Sequence, residues 1–542
     1  MPSMIAAPRD ARGPLVTTRS TLVTFARHAC RTTPYVHARM IMRKLALLSL
    51  LLALPLHADL WSTLEPGPYT AGFTQLERSD ASRPFRTPRR LDGTLRGGDR
   101  ARPIRISIWY PAQKTGGTPL TFGDYLDLVA QEQTFAPVTA DDRRRAEEAF
   151  FNVPLLNTLT KEQRAAMRPL AGRAIRDAKP VDAKFPVLLY SLGSAAIAHV
   201  TPEYLASHGY VVVQSPRLGA FAGLPQDNRD ALDLETKLRD VDFVLNEVRA
   251  WKQADLTSLA SLGFSAGGRW ALAAAMKYPD LKAVVSLDSV MLFDDPLLAA
   301  WRTMPHFNLD AVRVPVLHIT RKEFADQDSA AMWKELRYAD RTQIVCEPGL
   351  DHWDFQSLGL ATALAGARGA LAPRIEQTFV EWNRNTLAFL DQHLKGGKKF
   401  EPQNATHLAA LPAPVTAPEF LGAFVDEGTD VALAAFRKAW QERGTPPVAE
   451  AVVNLVGYNL LFGGRATEGL RVLELNVEAY PRSSNTYDSL ADAYLAAGNR
   501  AKALELTKKA AEMLAKETGL NEQRRAAIQG SIDGKLKELG GR

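Results

Sequence analysis

From residue 100 onward, short apolar runs alternate with amphipathic ones. The runs at 104–110, 186–190, 210–214, 259–264, 283–287, 314–319 and 343–346 have strand length and predict strands. Helical periodicity lies between them. In 230–251, Leu232, Leu238, Val241, Phe243, Val244 and Val248 form one apolar stripe. Apolar strands separated by helices imply an α/β protein with a mostly parallel sheet covered on both faces. Ligands of such sheets bind at the carboxyl ends of the strands.

Three stretches depart from this alternation. Residues 115–183 are mostly helix-forming and charged, a length that fits either a lid or extra helices on the sheet edge. A helix over 375–394 stops at Lys395-Gly396-Gly397, and the Pro- and Ala-rich stretch 399–420 reads as a linker. From 421 to 542 the pattern is purely helical, with a further helix at 431–442. Gly457, Leu460, Gly464 and Gly469 recur 34 residues later as Ala491, Tyr494, Gly498 and Ala503. This resembles the tetratricopeptide repeat, in which small residues let paired helices approach closely. So short a solenoid is expected to dock on the rest of the chain, on a protein partner or on a second copy.

Charge changes the picture at the amino end. Residues 1–58 hold eight Arg or Lys and one acid, a net +7, so the rest carries −1 of the chain's total of +6. Without that segment there is no basic signal for nucleic acid. Met42-Arg43-Lys44 and the leucine-rich run 45–56 read as a secretory signal ending at Ala58, too short to span a bilayer. Residues 1–41 read as an over-long start or unstructured leader. An exported protein, periplasmic or secreted, is expected, with a membrane-anchored form as the lesser reading. The two cysteines are Cys30 and Cys346, so the exported chain would hold one thiol and no internal disulfide.

Candidate chemistry centres on Gly263-Phe264-Ser265-Ala266-Gly267. An apolar strand run precedes it and a helix-forming run follows, which suits a strained turn presenting a nucleophilic serine. The general base is expected after Ser265 in sequence, and His352 lies in the turn-rich loop after the final strand. Asp288 closes the apolar run after the serine helix and is the preferred acid. Asp326, with Asp328 and Glu323, follows the next strand and stays open as the alternative. The backbone N–H groups of Ala266 and Ser194 are the expected oxyanion donors.

Four segments carry a family resemblance: 185–193, 205–213, 263–268 and Leu287-Asp288, with 66–69 and 102–111 upstream. Together they resemble the platelet-activating-factor acetylhydrolase and dienelactone hydrolase branch of the α/β-hydrolases, over about 66–396. The resemblance implies an ester hydrolase, and in acetylhydrolase-like members the acid sits at a spacing like that of 265 to 288. One departure stands out: Leu192-Gly193 replaces the family's His-Gly in the oxyanion loop. No helix-spaced His pair suggests a metal and no Gly-rich phosphate loop follows a strand, so no cofactor is expected. The reading is an exported serine hydrolase acting on a small-molecule or lipid ester. A peptidase or amidase with the same triad, and a non-catalytic binding protein on a degenerate hydrolase scaffold, are the competing readings.

Overall fold

The computed structural model describes residues 59–540, apart from 86–89, 95–99, 115, 133–134, 154–155, 192–193, 217, 221–230, 290–295, 329–334, 412–414 and 416. The expected leader and signal segment lie outside the described residues. Five parallel strands form the centre of the sheet: β5 (Phe185–Ser191), β6 (Val211–Gln214), β7 (Ala254–Phe264), β8 (Ala283–Leu287) and β9 (Val316–Arg321), with β10 (Arg341–Cys346) parallel beside β9. Side chains alternate between faces with the period of two that a pleated strand imposes. Leu188, Tyr190, Leu262 and Leu287 face one apolar core, and Val187, Leu189, Val211 and Val213 face another.

Helices cover both faces. On the first lie α5 (Val200–Ser207), α10 (Ser357–Leu364) and α11 (Ala372–Lys395); on the second lie α6 (Ala231–Arg249) and α7 (Ala266–Lys277). In α6 the stripe holds at Leu238, Val244 and Val248, while Leu232 stands 50% exposed near the helix start. A buried bidentate pair, Arg102 Nε and Nη2 to Asp240 Oδ1 and Oδ2 at 2.7 Å each, fastens the sheet to α6.

The sheet is wider than the sequence pattern suggests. A long hairpin of β1 (Thr70–Phe85) and β2 (Arg100–Ala112) pairs antiparallel to β6. Residues 115–183 contribute two strands as well as helices. β3 (Pro119–Thr121) and β4 (Ala171–Arg176) extend the edge beyond β1, with α1 (Phe122–Leu126), α2 (Ala140–Phe151) and α3 (Lys161–Met167) between them. At the opposite edge β11 (Ala405–Leu408), inside the Pro- and Ala-rich stretch, pairs antiparallel with β10. β1, β3, β4 and β11 are short or half-exposed, so alternation in their sequences is weak.

Residues 59–64 lock onto this edge. Leu60 and Trp61 are fully buried, and Leu60 N–H donates to the Ala171 carbonyl at 2.9 Å. Glu203 on α5 collects three donors from three segments: Trp61 Nε1 and Tyr125 Oη at 2.8 Å and the Arg173 N–H at 2.7 Å. Burial lifts its carboxyl to about 7 against those hydrogen bonds.

The carboxyl-terminal region consists of helices α12 (Ala417–Asp426), α13 (Thr429–Arg443), α14 (Glu450–Phe462), α15 (Ala466–Ala479), α16 (Ser484–Ala496), α17 (Arg500–Lys516) and α18 (Glu522–Gly540). The pair α14 and α15 recurs as α16 and α17 with starts 34 residues on, at 484 for 450 and 500 for 466. Gly469 shows why small residues recur: a Cβ there would come within 2.7 Å of the Gly457 carbonyl oxygen. These helices bury their own apolar cores. An Arg313–Glu419 ion pair and the bond from Leu411 N–H to the Arg337 carbonyl at 2.8 Å join them to the sheet region.

Candidate active site

Ser265 stands between β7 and α7 with φ 57° and ψ −130°, a conformation that L-residues adopt only under constraint. The neighbours explain how it is held. A Cβ on Gly263 would run into the Gly267 carbonyl, and one on Gly267 would run into the Ser191 carbonyl at the end of β5. The turn therefore requires glycine at both flanking positions, and its tightness brings the start of α7 against β5. Ser265 N–H donates to the Leu287 carbonyl at 3.1 Å, which ties the turn to β8. Ala266 is the first residue of α7, so its N–H has no partner within the helix and sits at the positive end of the helix dipole.

His352 reaches the same edge from the loop after β10. Gly349, with φ 92°, turns the chain back, and Asp351 caps a short 3-10 helix, His352–Phe355, in a capping box with Asp354. Asp354 is buried, and Arg368 bonds it at 2.8 Å. Burial lifts its carboxyl to about 6 despite that cation. The His352 ring stacks on Phe264, the residue before the serine, with centroids 4.4 Å apart. Its Nδ1 lies 2.7 Å from Asp288 Oδ2. A buried carboxylate accepts, so Nδ1 carries the proton and Nε2 presents its lone pair.

Asp288 ends β8, one strand over from Ser265, and is fully buried at φ 39°. Its N–H donates to the Ile319 carbonyl at 2.7 Å. Oδ1 accepts from Arg321 N–H at 3.0 Å and from Thr320 Oγ1 at 3.3 Å, and Oδ2 accepts from Arg321 Nε at 2.8 Å as well as from His352. Ser265, Asp288 and His352 thus gather at the carboxyl ends of neighbouring strands. Glu323 is exposed in α9 (Lys322–Asp328), and the side chains of Asp326 and Asp328 lie outside the described residues.

Ser194 follows β5 and caps the short helix α4 (Ala195–Ala198), its hydroxyl accepting from Ala196 N–H at 3.2 Å. It is buried. Leu192 and Gly193, where the sequence departs from the resembled family, lie outside the described residues. Two features were missed in the sequence. Arg321 on Asp288 was one, and its signal was a cation directly closing the apolar run of β9. The other is Tyr190 Oη, which donates to Gln356 Oε1 at 2.8 Å and braces β5 against the segment that carries His352. Cys346 lies nearby, its thiol pushed up to about 12 by burial and by the Asp288 charge. Among the described residues no group of three or more His, Cys, Asp or Glu is placed to hold a metal ion.

A mostly parallel sheet with helices on both faces, and a tight strand–serine–helix turn at its carboxyl edge, decide the fold. It is an α/β fold with a mostly parallel sheet. No protein-family model matches the chain. Chlorophyllase type 0 of Chenopodium album is 26% identical over 204 residues, which is 34% of this chain and 57% of that protein. The chain therefore spans little more than half of that relative. Among solved α/β structures, a ferulic acid esterase from Streptomyces cinnamoneus aligns at a TM-score of 0.44 and 16% identity, over 65% of this chain and all of that one. An acylaminoacyl peptidase of Pyrococcus horikoshii aligns at 0.30 and 17%, over 42% and 40%.

Proposed function

We propose that this α/β-hydrolase-fold chain is an exported serine hydrolase that cleaves carboxylic esters of small-molecule or lipid type. The observation that carries the reading is the 2.7 Å bond between His352 Nδ1 and Asp288 Oδ2, one strand from a serine held at positive φ. The likeness to a chlorophyllase over part of the chain supports the hydrolase part of the reading.

In this reading Ser265 Oγ attacks the ester carbonyl while His352 Nε2 takes its proton. The new C–O bond places negative charge on the former carbonyl oxygen, and the N–H groups of Ala266 and Ser194 stabilise it. Collapse breaks the bond to the alcohol, which leaves with the proton from His352. Water then attacks the acyl-enzyme through the same histidine and releases the acid and the serine. Asp288 fixes the imidazole tautomer and offsets the imidazolium charge.

A fluorophosphonate probe tests the assignment. Folded protein is expected to gain one phosphonyl group on the peptide containing Ser265, and none in Ser265→Ala. Absence of labelling in the wild-type chain would sink the reading and favour the binding-protein alternative. Side-by-side turnover of p-nitrophenyl esters and aminoacyl amides separates the esterase from the peptidase or amidase. The helical region is read as a tetratricopeptide-like module for a protein partner or a second copy.

A further inference from the structure

Arg321 shares the Asp288 carboxylate with His352. Arg321 supplies two of its donors, the backbone N–H to Oδ1 at 3.0 Å and Nε to Oδ2 at 2.8 Å. The arginine is itself fixed. Its side chain is 15% exposed, and the guanidinium lies 4.1 Å from the centroid of the Phe324 ring. The Phe324 ring in turn meets the His352 ring edge-on at 6.3 Å.

The geometry points to Arg321 as a positioning residue for the candidate triad: it holds Asp288 in the rotamer that presents Oδ2 to His352. The inference rests on the triad reading above. The physical case has three parts. Asp288 is fully buried, and a buried carboxylate that loses a donor turns toward other partners. A turned one leaves the imidazole free to adopt the wrong tautomer. The bond from Nε requires the planar fork of arginine, and a lysine ammonium cannot reproduce it while also stacking on Phe324. The arrangement also has a cost, since Arg321 spends part of the carboxylate's charge that would otherwise stabilise the imidazolium. What His352 receives in exchange is a fixed direction.

The test uses the full chain with Arg321→Ala, Arg321→Lys and Arg321→Gln. Three readouts are taken: p-nitrophenyl butyrate turnover, the fluorophosphonate labelling rate, and the far-downfield imidazole N–H resonance assigned through His352→Gln. Arg321→Ala is expected to lower kcat by roughly 10–100-fold, as for other partners that orient a reacting group, with KM within about twofold. Its downfield resonance is expected to weaken or shift. Added guanidinium should restore most of the kcat loss in Arg321→Ala and little in Arg321→Gln, where the side chain still fills the site. Arg321→Lys should recover less than guanidinium does. A merely structural role predicts a stability loss without guanidinium rescue and an unchanged resonance, and that result overturns the inference. If the wild-type chain turns over no ester and takes no phosphonate, the functional reading fails. The dependence of the resonance on Arg321 then still decides the positioning role.

Discussion

Ser265 and Asp288 both sit at positive φ, 57° and 39°, and each ends a strand. Such backbone costs about 1–3 kcal/mol per residue and persists where surrounding contacts over-determine it. At Ser265 those contacts are the two glycines; at Asp288 they are its neighbours on β9. The serine was legible in the sequence because glycine spacing records a steric requirement. The position of His352 was legible because its turn-rich loop directly follows β10, at the carboxyl edge of the sheet. Which carboxylate lies beside His352 was only half legible, since two strand ends carried carboxylates and sequence does not say which one a loop can reach. The kinetics should follow the hydrogen bonds. Ser265→Ala is expected to lower kcat by about a million-fold and Asp288→Asn by about ten-thousand-fold, read as ester turnover. Asp326→Asn should stay within about threefold of wild type; a larger loss there, with little at Asp288, reverses the assignment of the acid.

At the scale of elements, the turn before α7 is the least tolerant part of the chain. Gly267→Ala pushes a methyl group into the Ser191 carbonyl. It should cost about 1–3 kcal/mol in urea unfolding, as overpacking does, and slow phosphonate labelling by shifting β5. The Arg102–Asp240 pair makes a contrasting prediction. Asp240→Asn leaves the guanidinium buried without its charge partner and should cost about 3–5 kcal/mol, with the kcat of the remaining folded protein unchanged. The central strands were legible because they are apolar and evenly spaced. β1, β3, β4 and β11 were not, because these strands toward the two margins of the sheet are partly exposed and carry a broken apolar pattern. The same reason hid the strand inside the Pro- and Ala-rich stretch, where Ala405–Leu408 is mostly exposed.

For the molecule as a whole, Glu203 couples stability to pH. Its carboxyl lies at about 7 in the fold against an ordinary value of 4.5, so the folded chain keeps a proton there that the unfolded chain releases. The stability contributed by this group is fully present below about 4.5 and is lost as pH rises to about 7. The urea midpoint of the wild type, minus that of Glu203→Gln, should fall across this window; a flat difference would show that the group does not titrate there. The carboxyl-terminal helices bury their own cores, so removal of residues 417–542 should leave the turnover per mole of folded protein within about twofold. The 34-residue spacing made those helices readable in advance, because each copy repeats the same close approach. How they join the sheet was not readable, since it rests on a few polar contacts at a strand edge.

Cys346 gives this molecule a reporter of its own opening. From residue 59 onward it is the one cysteine, and its thiol stays protonated up to about 12 while the sheet is closed. Alkylating agents attack thiolates, so at neutral pH the native chain should resist iodoacetamide and the unfolded chain should take it up. Labelling at Cys346 then counts the moments when the strand edge beside Asp288 comes apart. The rate of that uptake, followed against urea, measures how often this edge opens in a protein that by every optical signal is still folded.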